Sequence, residues 1–309
     1  MAKYLITGGD GYLAQQVINR LVQSGHQVRA IDVKFDQLEI ALKYKHLLDK
    51  KCFSLSNKEL LLKAFEGVDV CIHLASPTSE SLNYDIKVAA TLEGLHVFYA
   101  AIESNRTPVI FSSTDAVYGP NISNQLCENA QMMPINIMGV HKLSLEHHAR
   151  VLSLTHGLIS TSMRLFNVYG MWRSEWNTDV ISRFCRNALA GEDIIVHGDG
   201  DQVRDFIHVS DVARAFISVS KNMKSGFFTY NVCTGQATSL NNLIDMISSL
   251  LGYRLTVRYE SKRLGDVYCA VGSNSKIHKD YSFIPRINIS NGLRMVLKDA
   301  GAITLQKAI

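Results

Sequence analysis

The stretch KYLITGGDGYLAQQVINRLVQSGHQVRAID, residues 3–32, decides the fold. An apolar run stops at Gly8, a glycine-rich turn follows, and apolar residues then recur at helical spacing between positions 13 and 22. A second apolar run ends in Asp32. The order of strand, glycine turn, helix, strand and acid predicts a phosphate-binding turn at the start of a doubly wound α/β sheet.

The residues of this turn indicate which groups would hold a dinucleotide. Gly8 permits the tight turn and Gly11 lets the backbone approach a pyrophosphate. The helix start at Tyr12 and Leu13 supplies amide donors and the positive end of the helix dipole. Asp32 can accept hydrogen bonds from both ribose hydroxyls of an adenosine and would repel a 2′-phosphate, so the pattern favours NAD over NADP.

Strand and helix patterns continue to alternate along the chain. Strands are expected at 51–55, 69–74, 108–112 and 160–166, and helices at 57–66, 84–104 and 136–156. Nearly continuous apolar strands are typical of parallel strands that are covered on both faces. The sequence therefore predicts a Rossmann-type doubly wound parallel sheet over residues 1–166, to which 210–236 returns, and a smaller C-terminal substrate-binding domain built mainly from 167–309.

Composition excludes several classes of protein. Of the 309 residues, 47% are apolar and 19% are charged, which excludes a disordered chain. A net charge of +4 argues against a dedicated nucleic-acid binder. Apolar runs fall short of the ~20 residues of a membrane span, and the N-terminus lacks the pattern of a signal peptide. The six cysteines are scattered without a C-x-x-C pair, so we expect no metal site and a reduced, cytoplasmic protein.

Several short motifs follow one another in a fixed order. They are TGGDG at 7–11, HLA at 73–75, SSTDAVYG at 112–119, RLFNVYG at 164–170, GDG at 198–200, RDFIHV at 204–209 and DVA at 211–213. In their order and spacing they resemble the extended short-chain dehydrogenase/reductase family, and within it the nucleotide-sugar epimerases and dehydratases. The resemblance implies that the N-terminal part holds NAD and the C-terminal part holds a nucleoside-diphosphate sugar.

The resemblance also implies roles for individual residues. Asn167 matches the residue whose amide contacts the diphosphate, and Arg204 and Arg263 match the arginines that grip it. Arginine suits this task because its planar fork donates two parallel bonds to phosphate oxygens. Further cofactor contacts are implied for Leu74, Ala75, Ser112 and Lys142.

The catalytic motif of the family is altered in this chain. The family carries Tyr-x-x-x-Lys on one helix and a Ser or Thr at the end of the preceding strand, and its tyrosine removes the proton from the sugar 4-hydroxyl. Here the helix reads PINIMGVHK over 134–142, so Met138 lies at the tyrosine position. A thioether is a poor base with no proton to give. Thr114 and Lys142 remain, and the triad becomes Thr-Met-Lys.

Two other positions depart from the family. Some of its dehydratases carry Thr-Asp-Glu at the strand end, and here Asp115 remains while Ala116 replaces the glutamate. Lys87 replaces an asparagine on an earlier helix. The inverting UDP-N-acetylglucosamine 4,6-dehydratases look similar in having a methionine before the lysine, but a lysine follows their aspartate and their two motifs lie closer together.

Three functions remain open from the sequence. The leading one is an NAD-dependent nucleotide-sugar epimerase or dehydratase acting through C4 oxidation, in which Lys142, with Thr114 as relay, replaces the tyrosine as base. Asp115 and Lys87 are then candidates for later proton transfers. The alternatives are a catalytically weak protein that binds NAD and a nucleotide sugar, and an NAD-dependent reductase. The resemblance also implies a homodimer through the helices at 84–104 and 136–156.

Overall fold

The computed structural model describes residues 1–76, 84–120, 125–170, 179–262 and 267–301. The strands among these residues are β1 (Lys3–Thr7), β2 (Gln27–Asp32), β3 (Leu48–Cys52), β4 (Val70–His73), β5 (Val109–Thr114), β6 (Ser160–Leu165), β7 (Asn167–Tyr169), β8 (Ile194–His197), β9 (Val203–Arg204), β10 (Phe206–His208), β11 (Phe227–Val232), β12 (Thr238–Ser239), β13 (Val257–Glu260) and β14 (Cys269–Ala270).

The helices among the described residues are α1 (Tyr12–Gln23), α2 (Lys58–Phe65), α3 (Tyr84–Glu103), α4 (Ile137–His156), α5 (Val180–Ala190), α6 (Val209–Ser220), α7 (Leu240–Leu251), α8 (Ser275–Tyr281) and α9 (Ile289–Asp299). Short 3₁₀ helices lie at Leu42–Leu47 and Asp115–Val117. In the part of the chain that the structure describes, no helix is long and apolar enough to span a membrane.

The central sheet has seven strands in the order β11-β6-β5-β4-β1-β2-β3. β1 pairs in parallel with β2 on one side and with β4 on the other. The chain therefore runs outward from β1 in both directions, and the carboxyl ends of β1 and its neighbours form the edge where such sheets bind ligands. The predicted α/β class with a doubly wound parallel sheet is confirmed.

One strand differs in position from its prediction. A strand is expected at 51–55, whereas β3 spans Leu48–Cys52 and pairs Val28 with Leu48. Phe53 and Leu55 follow the strand rather than forming it. β3 is an edge strand whose side chains are half-buried or exposed, and charged side chains are common on such edges, so hydrophobicity does not mark it.

Two compact units divide the chain. The first consists of Met1–Val117, Pro134–Arg164 and Ala213–Tyr230. Its core joins the sheet to α2, α3 and α4 through buried side chains such as Leu5, Phe65, Phe98, Phe111 and Leu145. The Phe98 and Phe111 rings meet edge to face, with centroids 5.2 Å apart, which fixes α3 on β5.

The second unit consists of Tyr118–Met133, Leu165–Val212 and the chain from Asn231 onward. Its core lies between α5, α7 and α9, where Phe184, Leu243 and Leu293 are buried. Small sheets surround this core: β10 pairs with β7, β13 with β8, and β9 with both β12 and β14.

The largest difference between the two units and the predicted domain boundaries is one segment, 118–133, with differences of two to six residues elsewhere. We expected 118–133 to belong to the N-terminal domain, but it joins the second unit around the buried side chain of Asn231. Tyr118 Oη donates to Asn231 Oδ1 at 2.6 Å, and Asn231 Nδ2 donates to the carbonyl of Leu126 at 2.8 Å. Residues 213–230 belong to the first unit, within the segment that was expected to return to it.

Candidate active site

The glycine turn lies directly against the end of β4. Gly8 has φ +69°, and a Cβ on it would lie 2.6 Å from the backbone nitrogen of Ala75. The amide of Leu74 donates to the carbonyl of Thr7 at 3.1 Å. Only glycine allows this approach, and the turn therefore brings Gly8, Leu74 and Ala75 together as the sequence analysis expected.

The start of α1 is built to accept an anion. Its N-cap is Gly11, which has extended backbone angles and no side chain that accepts from the helix, and the first turn contains no acidic residue. A helix start of this kind presents backbone amides and the positive end of the dipole to a ligand. Tyr12 and Leu13 are the first residues of the helix after the cap.

Asp32 lies beside this turn in a fixed orientation. Its Oδ1 accepts from the amide of Val33 at 2.7 Å, and its Oδ2 accepts from the amide of Asp10 at 3.0 Å. Burial, with a smaller effect from the neighbouring Asp10 charge, raises the pKa of Asp32 above its usual range. Together the turn, the helix start and this oriented carboxylate fit the pyrophosphate and ribose of a dinucleotide.

Helix α4 brings a lysine and the predicted methionine to one face. The side chain of Asn136 caps the helix by accepting from the amide of Gly139 at 2.9 Å. A Cβ on Gly139 would lie 2.5 Å from the carbonyl oxygen of Ala116, so the glycine lets the helix start lie against the turn at Asp115–Val117. Met138 and Lys142 are one turn apart and share a face of the helix.

Lys142 is a buried amine. Its side chain is 4% exposed, and Nζ donates to Ser112 Oγ at 3.3 Å. Among the described residues it forms no ion pair with a carboxylate within 4 Å. Burial lowers the pKa of Lys142 to about 8. About a tenth of this amine is therefore unprotonated at pH 7, far more than for an ordinary lysine, and this is the state needed to accept a proton.

Thr114 has other partners than expected. It is expected to act as a relay for Lys142, whereas its hydroxyl donates to Asp115 Oδ1 at 3.1 Å and accepts from the amide of Ala116 at 3.2 Å. Lys142 Nζ donates its hydrogen bond to the hydroxyl of Ser112 instead. Lys87 belongs to α3, but its side chain lies outside the described residues.

Two buried histidines accompany Lys142, and no motif assigned them a role. His141 Nδ1 and Thr91 Oγ1 are 2.5 Å apart, and His73 Nδ1 and Thr7 Oγ1 are 2.7 Å apart. Burial and the charge of Lys142 lower the pKa of His141 to about 4 and that of His73 to about 3. Both rings are neutral at pH 7, so they add no second positive charge beside Lys142.

The expected substrate residues lie in the second unit. The amide of Asn167 donates to the carbonyl of Asp205 at 3.0 Å, and Arg204 directly precedes Asp205 in the chain, so the backbones of the two residues lie close together. The buried Asp205 carboxylate accepts from the amides of Thr234 and Gly235, both at 2.8 Å, and fixes this region. Arg263 lies outside the described residues.

Comparisons with known proteins agree with this arrangement. The model of the NAD dependent epimerase/dehydratase family matches residues 4–233. The UDP-glucose 4-epimerase of Corynebacterium glutamicum is 27% identical over 323 residues, covering 98% of this chain and 95% of the relative. A UDP-N-acetylglucosamine 4-epimerase from Methanobrevibacter ruminantium, solved with UDP-N-acetylmuramic acid, is 28% identical with a TM-score of 0.85, covering 97% of this chain and 98% of its own.

A further solved structure contains both kinds of ligand. MoeE5 in complex with UDP-glucuronic acid and NAD is 26% identical with a TM-score of 0.88, and the match covers 97% of this chain and 99% of that one. The predicted resemblance and the predicted cofactor are thereby confirmed. This chain belongs to the NAD-dependent epimerase/dehydratase family and is an enzyme that uses NAD.

Proposed function

We propose that this enzyme is a UDP-sugar 4-epimerase in which the amine of Lys142 replaces the phenol of the family's tyrosine. The proposal is supported by a relative that is a UDP-glucose 4-epimerase and by similar structures that hold UDP-glucuronic acid or UDP-N-acetylmuramic acid. When bound, NAD accepts a hydride from the sugar C4 and returns it.

One observation carries the choice of base. Lys142 is buried, carries a lowered pKa of about 8 and lies one helical turn from Met138 on the same face. Met138 cannot take a proton, whereas a neutral amine can accept the proton of the sugar 4-hydroxyl and give it back when the hydroxyl forms again. The amine donates to the hydroxyl of Ser112, which carries no negative charge and so offsets little of the cost of burying an ammonium.

Thr114 and Asp115 position the sugar hydroxyl in this proposal. Because Asp115 accepts a hydrogen bond from the Thr114 hydroxyl and the amide of Ala116 donates to Thr114 Oγ1, one lone pair of that oxygen remains for a substrate hydroxyl. Asp115 and Lys87 remain candidates for proton transfers at other sugar carbons. Such transfers belong to a dehydratase, and the missing glutamate at Ala116 favours the epimerase instead.

The two units divide the binding work. We assign NAD to residues of the first unit, namely Gly8, Gly11, Tyr12, Leu13, Asp32, Leu74, Ala75, Ser112 and Lys142. The diphosphate of the substrate is assigned to Asn167, Arg204 and Arg263. We assign the reaction to the cytoplasm, where NAD and nucleotide sugars are both supplied.

Proton NMR in D₂O tests the reaction. The enzyme and NAD are mixed with UDP-glucose, UDP-glucuronic acid or UDP-N-acetylglucosamine, and the sugars are followed over hours. We expect one of them to form its C4 epimer without deuterium at C3 or C5. Deuterium at these carbons would instead indicate dehydratase-type chemistry, and a net change in NADH absorbance would indicate a reductase.

A second candidate is a catalytically weak protein that binds NAD and a nucleotide sugar. Met138 favours it, because the usual base is missing. Saturation transfer from the protein to a UDP-sugar without any product, for all three sugars, would support this candidate and contradict the epimerase. Turnover at ordinary enzyme rates would exclude it.

We also propose a homodimer through α3 and α4. These helices pack on each other in the first unit, and their outer faces carry exposed apolar side chains at Val88, Leu92, Tyr99, Val140, Val151 and Leu154. The spacing along each helix places these side chains in one stripe. A stripe of this size on two neighbouring helices is typical of a contact between identical subunits.

Replacing Leu92 or Val151 by glutamate is expected to separate the subunits. In a two-fold interface each substitution buries two carboxylates without partners, which weakens association by at least about 100-fold. Light scattering coupled to size exclusion measures the mass. Leu60→Glu, at an exposed leucine of α2, is the matched control and should leave the mass unchanged. A monomeric wild type would contradict the proposal.

A further inference from the structure

Asp10 places an acid inside the predicted phosphate-binding turn, yet its carboxylate does not face solvent. The side chain is 3% exposed. Its oxygens accept from the amide of Asp36 at 2.9 Å, from that of Gln37 at 2.9 and 3.0 Å, and from that of Leu38. Three consecutive backbone amides that point at one anion form a nest, a geometry that also binds phosphate groups.

The segment that carries this nest is held on its other side as well. Gln15 Nε2 donates to the carbonyl of Gln37 at 2.6 Å, and Lys50 Nζ donates to the carbonyl of Leu38 at 3.0 Å. Asn19 Nδ2 donates to the carbonyl of Glu39 at 3.3 Å. Residues 36–39, which closely follow Asp32 in the chain, are therefore tied to α1 and β3 by their carbonyls, and the amides of 36–38 point toward Asp10.

Asp10 also acts on Asp32. Its own amide donates to Asp32 Oδ2 at 3.0 Å and so orients the carboxylate assigned to the adenosine ribose. The two carboxylates are near enough for the Asp10 charge to contribute to the raised pKa of Asp32. A ligand that reaches Asp32 thus meets two negative charges and no unoccupied amide in the nest at 36–38.

We propose that Asp10 is a specificity-determining residue, which makes the cofactor site reject a dinucleotide with a phosphate on its adenosine ribose. It does so by occupying the amide nest that a phosphate dianion would otherwise use, and by adding a second negative charge beside Asp32. The inference rests on the proposed cofactor site at Gly8–Leu13 and Asp32. Asp32 alone would repel the phosphate but would leave the nest open to it.

Calorimetric titration of the nucleotide-free enzyme with NADH and with NADPH tests this role. We expect the wild type to prefer NADH and Asp10→Ala to raise the ratio of NADPH to NADH affinity by about tenfold, through tighter NADPH binding. Asp10→Asn keeps the shape, removes the charge and should shift the ratio in the same direction. If Asp10→Ala does not fold, the affinity ratio of Asp10→Asn is used instead.

Asp69→Asn is the matched control. It also removes one negative charge and one carboxylate that accepts a backbone amide, that of Lys3 at 2.7 Å, but it precedes β4 at the opposite edge of the sheet. Its affinity ratio should equal that of the wild type. Equal losses of NADH and NADPH affinity in both Asp10 variants would make Asp10 purely structural and overturn the inference. A wild type that binds neither nucleotide would overturn the cofactor site as well.

Discussion

Replacing Lys142 by methionine is expected to abolish turnover and to make the protein more stable at the same time. The substitution removes the proposed base, which lowers the rate by about a thousandfold or more. It also replaces a buried ammonium by an apolar side chain of similar length. Nucleotide-sugar binding should remain measurable by saturation transfer, because the residues assigned to the diphosphate lie in the second unit.

The gain in stability follows from the pKa of this lysine. Burial lowers the pKa from 10.5 to about 8, so the unfolded chain binds the proton more tightly than the folded protein does. The free energy of unfolding therefore rises with pH between about 8 and 10.5, and below about pH 8 the full penalty of about 3 kcal/mol is present. Methionine removes this penalty, which corresponds to roughly 5 °C in Tm.

Rates and thermal unfolding at pH 7 measure both effects. Lys63→Met, at an exposed lysine of α2 that pairs with Glu59 at 2.6 Å, is the control and should change neither. The wild-type rate should also rise with pH up to about 8, as Lys142 loses its proton. Turnover by Lys142→Met above a tenth of the wild-type rate would exclude the amine as base.

Local sequence patterns are sufficient to predict most strands of the central sheet. Within 30 consecutive residues lie the glycine turn, the helical spacing after it and the acid at the end of β2. Each of these features can be recognised from the few residues around it. β3 was misplaced because an edge strand with exposed side chains has no apolar pattern. Segment 118–133 clusters with the second unit, where Asn231, far along the chain, supplies hydrogen bonds that no local pattern indicates.

Some features of the candidate site can likewise be predicted from local sequence, and others need the structure. The positions of Met138 and Lys142 on one helix face follow from their spacing, and Gly139 at the helix start follows from the motif. The lowered pKa of Lys142 does not follow from the motif, because it depends on how deeply the folded chain buries the amine. The acceptor role of Asp10 also needs the structure, since its partners at 36–38 are paired with it only once the chain has folded.

A buried ion pair fixes the helix that carries Lys142. One turn after the lysine, Glu146 Oε2 accepts from the Arg164 guanidinium at 2.7 Å, and both side chains are 3% exposed. Glu146 Oε1 accepts from Arg164 Nε at 3.0 Å and from Ser162 Oγ at 2.9 Å. The three bonds join α4 to β6, so they set the position of the helix against the sheet.

Replacing Glu146 by alanine is expected to lower the free energy of unfolding by about 3–5 kcal/mol, because the buried guanidinium of Arg164 loses the carboxylate that balances its charge. Chemical denaturation measures the loss. We expect kcat to fall as well, since α4 carries the base. Adding Arg164→Met to Glu146→Ala removes the buried guanidinium charge and should recover part of the lost free energy of unfolding. If the double variant is no more stable than Glu146→Ala, the loss comes from packing, and the ion pair does not hold α4 in place.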